Sequence, residues 1–125
     1  MSTVDYWLKS SEDDLDTAVK LMDGKKYHHA LFFLHLAIEK LLKAILVKKT
    51  DEAAPPIHDL VRLSEKTSLH TSQVRILEFA EISTFNIAAR YDDYKLQFYK
   101  KATSEYAQKW MTIGKAILTE LKKEL

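Results

Sequence analysis

Arginine and lysine set among tyrosines, scattered histidines and one glutamate inside an apolar stretch are the residues here with chemistry to offer. The densest group is AARYDDYKLQFYKK (88–101), where Arg90, Lys95, Lys100 and Lys101 alternate with Tyr91, Tyr94, Phe98 and Tyr99. Cations take phosphate oxygens and aromatic faces stack on bases, so this mixture suits a nucleotide or single-stranded nucleic acid. The same residues also fit a helix junction, with tyrosine rings buried, hydroxyls outward and Arg90 paired to Asp92 or Asp93. Composition leaves both open.

In HLAIEKLLK (35–43), His35, Glu39 and Lys43 follow one another at spacings of four, along one face of a helix. His35 and Glu39 could hold a metal from adjacent turns, but no third ligand stands at a suitable spacing, so no metal site is assigned. Glu39 and Lys43 make an ordinary helical ion pair, worth about 0.3 kcal/mol when exposed. His28 and His29 are neighbours pointing about 100° apart on a helix, which places them on a surface or interface rather than in one site. His58, in PPIHDL, stands where a loop enters a helix. It suits a proton shuttle, because histidine titrates near neutrality without help. Equally, His58 or Asp59 caps the short helix that follows.

The elements that must position these groups are helical. A chain of 125 residues fits one domain, residues 1–125. With two glycines and two prolines it lacks the turn residues of a β-sandwich and the phosphate-loop glycines of a dinucleotide fold. There is no cysteine, which removes disulfides, thiolate metal sites and cysteine nucleophiles, and suits a reducing, cytoplasmic setting. No signal core and no membrane span are expected, since the N-terminus turns acidic at once and every apolar run is interrupted by charge. Net charge is only +1, yet residues 1–23 carry a net −4 and residues 24–49 a net +5. Such asymmetry marks a polyanion-facing surface or two helices that attract each other.

Apolar periodicity predicts a first helix over Val4–Met22, opened by Ser2 and Asp5 at capping-box spacing and closed by Gly24 as a left-handed terminating residue. A second, Tyr27–Lys48, is apolar around more than half its circumference and must be central. Pro55 and Pro56 make residues 50–56 a loop. A short third helix spans His58–Lys66. The fourth spans Ser72–Ala89, with Val74, Leu77, Phe79, Ile82, Phe85 and Ala89 apolar and Thr71 or Ser72 as cap. Residues 90–98 interrupt the pattern. The fifth runs Tyr99–Lys123 on a stripe of Tyr99, Ala102, Tyr106, Trp110, Ile113, Ile117 and Leu121. The expected fold is an all-α, five-helix up-and-down bundle: a four-helix core plus one short helix.

Trp7, YHHALFFLHLAIEKLLKAIL (27–46), IHDL (57–60) and ARY (89–91), in this order, resemble the HEPN family (higher eukaryotes and prokaryotes nucleotide-binding) across nearly the whole chain. The resemblance implies a helical bundle, commonly paired as a homodimer. It also implies either a metal-independent RNase without cofactor or a nucleotide- or RNA-binding module, often beside a minimal nucleotidyltransferase in a toxin–antitoxin-like pair. In the RNase members an arginine is followed four to six residues on by a histidine. Arg90 matches the arginine, but positions 95–97 are Lys95, Leu96 and Gln97, and no histidine follows His70. Cleavage needs a base and an acid near neutrality, so the motif is incomplete. The expectation is therefore a binding or regulatory module, with Arg90 on phosphate, Tyr91 or Tyr94 stacking, and Lys43 or Lys95 adding charge. The alternative is an atypical RNase in which His58 joins Arg90.

Overall fold

In the computed structural model, which describes residues 2–125 except for the side chain of Ala89, α1 (Thr3–Asp23) and α2 (Tyr27–Thr50) form a helical hairpin. α3 (Leu60–Lys66), α4 (Gln73–Arg90), α5 (Asp92–Lys101) and α6 (Ser104–Lys122) follow. Among the described residues there are thus six helices and no strand, and none is long and apolar enough to cross a membrane. The all-α class agrees with the sequence, but the count of five does not.

The extra helix is α5, which occupies the stretch expected to be irregular. Its only buried residue is Phe98, so it has no apolar stripe to betray it. Its charges are ordered instead. Asp92 and Asp93 sit in the first turn and Lys100 and Lys101 in the last, each complementing the helix dipole. One extended residue, Tyr91 (φ −115°, ψ 122°), separates it from α4. The last helix consequently begins at Ser104, where the Thr103 side chain accepts from the Tyr106 N–H, and Tyr99 belongs to α5.

Other boundaries follow from caps. Ser2 accepts from the Asp5 N–H as its spacing suggests. Gly24, however, is not left-handed: it has φ −83°, and Lys25 takes φ 61°. The Lys26 N–H reaches the Leu21 carbonyl and the Lys25 N–H that of Met22, the paired bonds of a Schellman turn. Asp59 caps α3 through the Val61 and Arg62 N–H groups, which leaves His58 one residue before the cap and outside the helix. Ser72, not Thr71, caps α4.

α2 is the central element, packed on α1, α3, α4 and α6. Leu31, Leu34, Ile38, Leu41, Leu42 and Ile45 are fully buried there. They meet Leu60 and Leu63 of α3, Phe79, Ile82 and Phe85 of α4, and Ile117 of α6. Val74 and Leu77, expected on the apolar face of α4, are exposed, and Ala89 lies outside the described side chains. Trp110 is buried edge-on to Phe85, and Phe98 stacks on Phe85 at 5.5 Å, which is how α5 is pinned. At Gly114 α6 approaches α2 so closely that a Cβ would lie 2.5 Å from Leu34. α1 and α2 are also joined by Lys40 to Asp14 at 2.7 Å and by the Ser11 hydroxyl donating to the Ala37 carbonyl. The acidic and basic halves of the N-terminal sequence therefore partly neutralise each other within the hairpin.

Candidate functional site

His35, Glu39 and Lys43 lie four apart on α2, and all three are buried. The Glu39–Lys43 pair, at 2.9 Å, is therefore no surface ion pair; it is a buried one. Its desolvation must be offset by further contacts. Lys43 stands over the Trp7 ring of α1, 5.5 Å from its centroid. Glu39 receives a second donor from outside α2: His58 Nδ1 lies 3.1 and 3.2 Å from its two oxygens.

His58 comes from the 51–59 segment between α2 and α3. Its side chain is about half exposed, and its Nε2 lies 3.3 Å from Arg90 Nη2 at the end of α4. A guanidinium can only donate, so Nε2 is the acceptor, and Nδ1 carries the proton that Glu39 receives. Arg90 is held from its other side, where Nε donates to buried Asn86 Oδ1 at 2.8 Å. One continuous chain thus runs from buried Lys43 through Glu39 and His58 to exposed Arg90.

The tertiary structure therefore brings together two candidates that lie 32 positions apart in sequence, Arg90 and His58. Arg90 pairs with neither Asp92 nor Asp93; Asp92 takes Lys95 instead, at 3.0 Å. Tyr91 and Tyr94 are more than half exposed, so the tyrosines here do not bury their rings. Lys43 is enclosed, and its charge reaches this surface only through Glu39. Sequence reasoning missed Asn86 as the partner of Arg90. The four-residue spacing to Arg90 on one helix was the available signal.

His35 is entirely buried, and burial lowers its pKa to about 4 against the opposing influence of Glu39. His28 and His29 do meet: their rings lie 3.9 Å apart, and His28 abuts the Tyr99 edge. Burial, with the neighbouring His29 and Lys26, lowers the pKa of His28. These two histidines, with Phe32, Phe33, Leu96 and Tyr99, line a groove of about 640 Å³ between α2 and α5. At the far end of the bundle a smaller polar cavity of about 300 Å³ contains Arg75, already paired with Glu78 and Glu120. Among the described residues no three histidine, aspartate or glutamate side chains are grouped to hold a metal ion.

A family model described as HEPN domain matches residues 4–125. The crystal structure of TT1696 from Thermus thermophilus superposes with a TM-score of 0.85 over 100% of both chains, at 17% identity. At that identity the likeness speaks for the fold. No curated protein matches.

Proposed function

The chain belongs to the HEPN family, and on that premise we propose that the Arg90–His58 surface is a phosphate-recognition site for a nucleotide or RNA. The observation that carries this reading is the placement of an exposed guanidinium against an imidazole whose other nitrogen rests on a buried carboxylate. Arg90 offers the remaining N–H groups of its fork to phosphate oxygens. Tyr91 and Tyr94, exposed next in the chain, offer faces for bases, and Lys95 adds charge nearby. The module acts as a homodimer and serves a partner of the nucleotidyltransferase class in a toxin–antitoxin-like pair; the family membership supports this part.

A second reading, metal-independent RNA cleavage, is favoured by one specific feature. Glu39 holds the His58 Nδ1–H, leaving Nε2 as a base directed toward the surface beside Arg90. In that chemistry Nε2 takes the 2′-hydroxyl proton, the 2′-oxygen attacks phosphorus, and Arg90 stabilises the phosphorane charge. The proton for the leaving 5′-oxygen comes from a second acid, the other copy of His58 in a dimer, which enters the step as the imidazolium and leaves it neutral.

Both readings are tested by incubating the protein with end-labelled single-stranded RNA in the presence of EDTA, beside Arg90→Ala and His58→Ala. Intact RNA retained on a native gel by the wild type, with retention lost in Arg90→Ala, is the expected result. Cleavage abolished by either substitution establishes the second reading. Neither retention nor cleavage overturns both.

A further inference from the structure

His35 is a fully buried polar side chain in the most apolar helix of the molecule, and neither reading above uses it. Leucine would fill such a position without leaving any polar atom to satisfy. What the imidazole adds is one bond: its Nε2 lies 3.0 Å from the His58 carbonyl oxygen. A carbonyl only accepts, so Nε2 carries the proton and Nδ1 is bare. Nδ1 has no hydrogen-bond partner among the described residues, and its 3.8 Å separation from Glu39 Oε1 is too long for a bond.

The segment carrying His58 has no regular secondary structure, so its position depends on such bonds. The Leu60 N–H is received by the Ser83 hydroxyl of α4, while the His58 carbonyl is held by His35 of α2. The His58 peptide is thus tied to α2 and the next turn to α4, and its ring spans Glu39 and Arg90. The bare Nδ1 of His35 matters too. Were it protonated, it would compete with His58 for Glu39; without a proton it leaves that carboxylate to accept from His58 and Lys43. Besides Glu39, the charged or titratable groups acting on His35 are His58 and Arg90.

We infer that His35 is the positioning residue of this site, and that it fixes which ring nitrogen of His58 faces Arg90 and the ligand. The consequence for ligand binding rests on the phosphate-site reading; the geometric claim stands apart from it. Imidazole 15N spectra of the whole protein at pH 7 decide the geometric claim. The wild type is expected to show His35 as the Nε2–H tautomer and His58 as the Nδ1–H tautomer. His35→Gln, whose amide can still donate to the carbonyl, keeps the His58 tautomer. His35→Leu, which cannot donate, yields mixed or exchanging His58 tautomers and binds fluorescein-labelled oligouridylate about tenfold more weakly than the wild type. A wild-type His35 protonated on Nδ1 overturns the inference even if the leucine variant fails to fold. So does an unmixed Nδ1–H His58 in a folded His35→Leu. If the wild type binds no oligouridylate, the phosphate-site reading falls, while the tautomers still decide the role of His35.

Discussion

Lys43 and Glu39 neutralise each other where water is excluded, and removing one charge strands the other. Lys43→Met is expected to lower unfolding free energy by about 3 kcal/mol, because Glu39 would retain only its His58 donor. Replacing both, as Glu39→Met with Lys43→Met, is expected to cost less than the single change, since methionines of similar length pack without a stranded charge. Urea denaturation of the three proteins checks this; a single-variant loss below about 1 kcal/mol would show that water reaches the pair. A different polar contact works at the α4–α6 face. The Tyr106 hydroxyl donates to Glu81, which also takes Lys101 at 2.8 Å. Burial, and then Glu81, raise the pKa of Tyr106. The pKa of Glu81 is itself lowered, Lys101 and Tyr106 outweighing its burial. That cluster ties the α5–α6 junction to α4.

Among the elements, the α1–α2 turn carries a removable strain. Lys25 occupies the left-handed position, one residue after the glycine that would take it cheaply. Lys25→Gly is expected to stabilise the protein by about 1 kcal/mol, somewhat offset by the freer unfolded chain. A lowered melting temperature would contradict this. α6 carries the opposite case. Trp110 is buried against Phe85, its indole edge-on at 6.2 Å, with the Tyr106 ring at the same distance. Trp110→Ala opens a cavity with rigid walls and is expected to cost about 3–5 kcal/mol in denaturant unfolding. A negligible shift would mean that the site collapses or is solvated.

For the molecule as a whole, His35 makes stability depend on pH in a calculable direction. Its folded pKa of about 4 lies below the 6.5 of a free imidazole. Between those values the unfolded chain binds more protons, so stability rises with pH across that window. The contribution present above pH 6.5 is lost as pH falls toward 4, by about 3 kcal/mol in all. Unfolding midpoints of the wild type and His35→Gln, compared between pH 4.5 and 7, isolate it because the other titrating groups are common to both. The wild type should lose more stability than the variant on acidification. Parallel curves would show His35 to be protonated or solvated in the folded state.

The sequence by itself determined the helical class, the central place of α2 and the burial of Trp110. These follow from the near absence of glycine and proline and from apolar residues recurring every three or four positions, which are local properties of the chain. It also made Arg90 and His58 candidates by residue type. It misjudged α5, because a surface helix stabilised by ordered charges and one buried phenylalanine has no stripe to read. It misjudged the Glu39–Lys43 pair, because spacing tells which residues share a face but not whether that face is covered. Only the tertiary structure decided that the 51–59 segment folds back over α2, seating His58 between Glu39 and Arg90. That placement depends on long-range contacts from His35 and Ser83, and no local pattern in the chain records which carbonyl a buried imidazole will find.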